Sequence, residues 1–432
     1  MLADPKSAVA TPMASPNPPR SDDDWAALDF DAIQLFSPAT PINEAELFAG
    51  RRQQITRLIE AVAERGRHPI LYGERGVGKS SLVSIFQYFI GPSVSRTIVP
   101  IRIQSGPYDN FNSLWQRAFR EMYAKVPLNQ GNEGHEEWDP KEKIEPDDVI
   151  RELNRFSFNH VPVIIFDEFD KVPDGGTRKL MSHCIKAFSD AGLVATIVLV
   201  GVADDIDALI MEHKSIQRNI TEVKMPRMSK DELNQILDKR ISRLNMKLQG
   251  DARWKIVSLS RGLPGYVHQL GRDSVRNAIV RRKLTIIEED ANSAIQDLVQ
   301  QSDQTTTEEY AKAVRSNKKN NLYKQVLLAC AMAKCDEQGQ FAPADLLQPL
   351  TKILGRQVQI SSFRDHLNGF CSPDRGSILI KRGQDWAYRY QFTEPKMQPY
   401  VIMRGMADRV LTEDALSTIL SAPEQPRLST DF

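Results

Sequence analysis

At 432 residues the chain exceeds what one ordinary hydrophobic core supports, so two or three domains are expected. Its 41% hydrophobic and 26% charged content excludes a largely disordered chain. Its 56 basic residues balance 56 acidic ones, which excludes a polycation and confines any nucleic-acid site to a local patch. No apolar run reaches the ~18 residues of a membrane helix. The N-terminus also lacks the apolar stretch of an export signal, so a cytoplasmic protein with no membrane partner is expected. Cys184, Cys330, Cys335 and Cys371 lack Cys-x-x-Cys spacing and read as buried thiols, not as metal ligands.

Residues 1–24 begin with a stretch rich in Pro, Ala and Ser, without hydrophobic period, and are expected to be disordered. Trp25, Leu28, Phe30, Ile33 and Phe36 recur irregularly and suggest an arm packed on the body. Ile55, Leu58, Ile59 and Val62 fall at helical spacing, and the apolar run Pro69-Ile70-Leu71-Tyr72 follows. Helices and strands then alternate up to Pro226. Apolar strands are expected at Thr97–Ile103, Val161–Phe166 and Ala195–Val202, with a short one at Thr221–Met225. Buried strands separated by helices predict an α/β domain with a doubly wound parallel sheet over residues 25–226, the arm included. The acidic segment 131–148 reads as a surface insertion. Helices alone follow over 227–301, a small helical domain, and the polar stretch 302–309 reads as a linker. Residues 310–408 carry three helical patterns and two strand-like runs, the signature of a winged helix. Residues 409–432 are expected to be a loose tail.

The chemistry concentrates after the first strand, in Gly73-Glu74-Arg75-Gly76-Val77-Gly78-Lys79-Ser80 followed by Ser81. Glycines at this spacing, between a strand and a helix, turn backbone N–H groups inward around phosphates. Lys79 would face the β- and γ-phosphates of ATP, and the Ser80 hydroxyl would ligate Mg²⁺. The second half is Val163-Ile164-Ile165-Phe166-Asp167-Glu168, an apolar strand ending in two carboxylates. Asp167 would hold Mg²⁺ through water. Glu168 would polarise the attacking water as a general base. Together they predict an ATPase.

The order of these elements resembles the AAA+ ATPases, in particular the origin-recognition branch and its bacterial relatives. Gly50 and Arg51, in Leu47-Phe48-Ala49-Gly50-Arg51, resemble the Gly-Arg box that lies near the adenine in that family. Thr196–Asp205 resembles the fourth strand and first sensor, with the sensor near Asp204. The segment around Ser215-Ile216-Gln217-Arg218 resembles the one that carries an arginine finger, which makes Arg218 the finger candidate; a solvated or salt-bridged surface arginine is the alternative. One departure stands out. The arginine of the family's second sensor falls at Gly265, in Arg261-Gly262-Leu263-Pro264-Gly265, a run that resembles signalling ATPases of the STAND class and transposition ATPases. That departure implies a slow switch whose lid position reports nucleotide state.

From Gly339 to Met403 the pattern resembles the winged helix of origin-recognition ATPases. Lys381 and Arg382 at the hairpin, with Arg356 and Arg364 near the presumed recognition helix, are candidate phosphate contacts on DNA. The resemblance thus implies an ATP- and Mg²⁺-dependent homo-oligomer that assembles on DNA. The alternative is a STAND-like signalling or defence ATPase whose winged helix contacts a protein effector or holds an inactive state.

Overall fold

The computed structural model describes residues 18–37, 45–90, 97–126, 128, 143–156, 159–173, 175–203, 206–210, 216–317, 321–383 and 388–420. The first seventeen residues, most of the acidic insertion, the sensor position Asp204 and the last twelve residues lie outside these. Described residues 45–226 form one compact unit, and residues 18–37 with 227–420 form a second.

Helix α1 (Asp22–Leu35) replaces the expected arm. Ser21 caps it reciprocally with Asp24, and three aspartates in its first turn complement the helix dipole. Its buried residues, Leu28, Ala32 and Leu35, are spaced four and three apart; the period looked irregular because Phe30 and Ile33 point outward. Assignment of this segment to the first domain is corrected as well, since α1 groups with the C-terminal unit. There its neighbour Phe36 packs edge-on against His268.

The first unit starts with α2 (Arg52–Ala63) and β1 (His68–Gly73), followed by α3 (Lys79–Ile90), β2 (Thr97–Gln104) and α4 (Phe111–Lys125). Next come α5 (Pro146–Leu153), β3 (His160–Asp167), α6 (Gly175–Asp190), β4 (Thr196–Val202) and β5 (Ile220–Lys224). The five strands are parallel, in the order β2-β3-β4-β1-β5, as expected of the doubly wound sheet. Six residues of β1 and seven of β3 are buried, which explains their unbroken apolar character. Trp115 anchors the core on one face, its ring 5.4 Å from that of Phe166 and 6.0 Å from that of Phe188.

In the second unit, α7 (Lys230–Arg243), α8 (Gly250–Leu259), α9 (Pro264–Val280) and α10 (Glu288–Gln300) form the helical module. A short parallel pair, β6 (Lys247–Leu248) and β7 (Thr285–Ile286), joins its connections. Helix α9 is the centre, packed on α1, α7, α8 and α10. The expected linker 302–309 is largely α11 (Gln304–Val314), capped by Asp303. It buries Thr306, Tyr310 and Ala313, so the polar composition belongs to the outward face of a helix.

The C-terminal module holds α12 (Tyr323–Met332), α13 (Leu347–Leu354) and α14 (Arg364–Phe370), then the antiparallel hairpin β8 (Leu379–Arg382) and β9 (Arg389–Phe392). Helix α15 (Met397–Ala407) packs on α12. The tail expected to be loose contains α16 (Glu413–Leu420), whose Glu413 pairs with the buried Lys255 at 2.8 Å. Cys184 and Cys330 are buried as expected; Cys335 and Cys371 are only half-buried. Among the described residues no helix is long and apolar enough to cross a membrane.

Candidate functional site

Parallel pairing aligns the carboxyl ends of β1 and β3 on the same edge of the sheet, with β4 between them. Both motifs lie at that edge. The loop after β1 is shaped by glycine backbone. Gly73 has φ +152°, and a Cβ there would lie 2.3 Å from the carbonyl oxygen of Met225 beyond β5, so no larger residue fits. Gly76 and Gly78 also take positive φ, which turns the loop into the first turn of α3. That helix begins at Lys79, so its leading N–H groups lack carbonyl partners within the helix and face the loop.

Lys79 is nearly buried. Its ammonium donates to the carbonyls of Gly73, at 2.8 Å, and Glu74, at 2.9 Å. Burial pulls its pKa down to about 8, against the opposing fields of Asp170 and Asp167. A buried cation held by carbonyls beside a ring of N–H groups is suited to receive an anion. Arg51, in a left-handed conformation at the start of α2, donates from Nη2 to the carbonyl of Val77 at 2.8 Å. Arg51, itself buried, therefore braces the loop after β1 directly.

At the end of β3 Asp167 is buried, and its Oδ1 accepts the Glu168 N–H at 2.9 Å. Its other oxygen is bound by Arg102 of β2. Glu168 has φ +53°, a left-handed turn that swings its side chain out of the strand direction. Gln104 and Lys171 both donate to its Oε2. Burial raises the Glu168 pKa, but bonding to Lys171 and Gln104 outweighs it and the net shift is downward. Asp170 accepts the Val202 N–H at 2.8 Å and so ties this corner to β4.

The structure thus brings the loop from Gly73 to Ser81 together with Asp167 and Glu168, and seats Arg51 behind the loop. It does not bring Arg218 to them. Arg218 lies just before β5, 77% exposed at the side chain, and pairs loosely with Asp190 at 3.6 Å. Ile220 pairs with His68 at the opposite end of β1 from Gly73. Five strand residues of about 3.3 Å each separate the two ends, roughly 16 Å. Sequence reasoning missed Arg102, Gln104 and Asp170. The first two lie on β2 opposite Ile165 and Asp167, a pairing that no linear motif encodes.

The residues present fit a nucleotide with its divalent cation. The loop offers N–H donors and a buried ammonium, while Ser80 on the first turn of α3 and Asp167 offer hard oxygen donors. Among the described residues no cluster of three or more His, Cys, Asp and Glu forms a separate metal site.

One family match agrees with this geometry. Residues 47–207 match the AAA_16 family, described as an AAA ATPase domain. No curated protein matches the sequence at a significant level. Among solved structures, the chain is similar to the Orc1 protein of Aeropyrum pernix in complex with DNA, at 16% identity and TM-score 0.45, covering 87% of this chain and 97% of that one. A Walker-type ATPase of Pyrococcus abyssi aligns at 17% identity and TM-score 0.45 over 86% and 99%. The RuvB Holliday junction branch migration motor of Thermotoga maritima aligns at 14% identity and TM-score 0.43 over 82% and 96%. Residues 47–207 are an AAA ATPase domain of the P-loop type, and the protein that carries them is an ATPase.

Proposed function

We propose that this protein is an ATP-controlled switch in which nucleotide state governs assembly on DNA. The observation that carries the reading is the convergence of Lys79, Asp167 and Glu168 at one edge of the parallel sheet. In this reading the loop Gly73–Ser81 cradles the phosphates and Lys79 neutralises the β- and γ-phosphates. Gly50 and Arg51 support the loop from the base side. Ser80 and Asp167 hold Mg²⁺, which when bound neutralises phosphate charge. Glu168 orients water and accepts its proton. With its pKa lowered and its oxygen engaged by Lys171 and Gln104, Glu168 is a weak base until those contacts loosen, which favours slow turnover.

Assembly on DNA is supported by the C-terminal module, in which three helices precede a hairpin. Lys381 and Arg382 lie on β8, and the Lys381 ammonium sits 3.4 Å from the centre of the Tyr388 ring. Arg364, which opens α14, and Arg356, just after α13, are exposed. Such cations suit phosphate contact. The second reading, a STAND-like switch acting through protein contacts, is favoured by Gly265 where the second-sensor arginine would stand.

Two measurements test this. Glu168→Gln is expected to bind ATP normally and hydrolyse it roughly a hundredfold more slowly, read as phosphate release. Unchanged release would remove Glu168 from the reaction. A DNA gel shift with that variant is expected to be stronger in ATP than in ADP and to weaken steeply with salt. No shift in either nucleotide would leave the protein-contact reading.

A further inference from the structure

The carboxylate assigned to Mg²⁺ already has a cation of its own. Arg102 sits on β2 opposite Ile165, two residues short of the end of the strand, and its guanidinium reaches forward to Oδ2 of Asp167. Oδ1 of the same carboxylate accepts the Glu168 N–H, so both oxygens are engaged by the chain itself. The other end of the guanidinium donates to Ser84 Oγ at 2.8 Å, and that hydroxyl donates to the carbonyl of Ser80 at 2.9 Å. Arg102 therefore connects the acid at the end of β3 to Ser84 on α3, whose hydroxyl in turn bonds the carbonyl of Ser80, the other residue assigned to the metal. Its side chain is a third exposed while Asp167 is 2% exposed, so the guanidinium has solvent to move into and the carboxylate does not.

We propose that Arg102 is an internal counter-cation that competes with the divalent ion for Asp167. The proposal rests on the reading of Asp167 as the metal carboxylate. A buried carboxylate beside an incoming polyphosphate repels it unless neutralised. Arg102 supplies that neutralisation, so nucleotide without metal is tolerated. Mg²⁺ then gains Asp167 only by displacing a charge-assisted hydrogen bond, which weakens its apparent affinity. Arg102 accordingly sets the free Mg²⁺ concentration at which bound nucleotide becomes a competent substrate.

The experiment uses the full-length protein and a fluorescent ATP analogue. Analogue affinity is measured in EDTA, and the Mg²⁺ midpoint is then titrated at fixed nucleotide. In Arg102→Gln the midpoint is expected to fall about tenfold, the equivalent of one lost charge-assisted bond. Affinity in EDTA is expected to fall at the same time. A generally damaged site would weaken both, so the opposite movement of the two is diagnostic. Arg102→Lys keeps the charge without the fork and is expected to give an intermediate midpoint, which preserves the test if Arg102→Gln folds poorly. If the midpoint moves in Asp167→Asn but not in the Arg102 variants, the competition is overturned while the metal reading stands. If it does not move in Asp167→Asn either, the metal reading fails and the proposal falls with it.

Discussion

The Lys79 ammonium is kept largely from water, among the described residues without a carboxylate in direct contact, and the chain bears a cost for that. Its pKa falls from the usual 10.5 to about 8, chiefly through burial. A lysine with a depressed pKa binds fewer protons folded than unfolded between those values. Stability should therefore rise with pH from about 8 toward 10.5, and the charge costs the fold roughly 3 kcal/mol below that window. A bound polyphosphate reverses the situation, because it supplies the opposite charge that burial withholds. ATP binding should then take up a proton above about pH 8 and none through Lys79 well below it. Titration calorimetry at pH 9 in buffers of different ionisation enthalpy checks this. The expected proton uptake is absent in Lys79→Arg, whose side chain stays charged throughout. Equal proton uptake in that variant and the wild type would show that another group carries the linkage.

At the scale of elements, the turn into α9 separates two glycines that look alike in sequence. Gly262 has φ +82°, and a Cβ there would lie 2.7 Å from Cβ of Arg227 and 3.1 Å from the carbonyl oxygen of Met228. Gly265, inside the first turn of the helix that Pro264 starts, meets nothing within 4 Å. Gly262→Ala is expected to destabilise the protein by about 1–3 kcal/mol through strain and crowding. Gly265→Arg is expected to leave the melting temperature unchanged within a degree or two. Thermal melts of the pair decide the matter, and a large loss in Gly265→Arg would mean that the position is constrained by packing after all. The departure from the resemblance at residue 265 is thus not explained by crowding at the Cβ, which meets nothing within 4 Å.

For the whole molecule the question is how many chains make one working site. Arg218 stands roughly 16 Å from the loop of its own chain along β1. It is exposed, and its pairing with Asp190 at 3.6 Å is too weak and too solvated to count as its purpose. We propose that Arg218 acts as an arginine finger on the nucleotide of another copy. Arg218→Ala should keep ATP affinity while lowering hydrolysis at least tenfold, and wild-type activity per chain should rise with protein concentration. Activity that is flat over the range where sedimentation shows association, together with normal hydrolysis in the variant, would confine the reaction to one chain.

The nucleotide site was legible in linear sequence because its chemistry is local. The glycines, Lys79 and Ser80 act through a single turn, and Asp167 and Glu168 end an apolar strand whose burial shows as an unbroken run. Parallel strands buried on both faces are the one sheet that composition alone reveals. What spans strands or depends on an outward face stayed hidden. Arg102 and Gln104 meet the two carboxylates only because β2 pairs with β3 in a given register. Helix α1 was masked by the apolar residues it turns to solvent, and α11 by the polar ones. Its two motifs made the chain a nucleotide-binding protein by sequence alone; tertiary structure decided which of its own side chains hold the two carboxylates at the end of β3, because register and burial act between segments far apart in the chain.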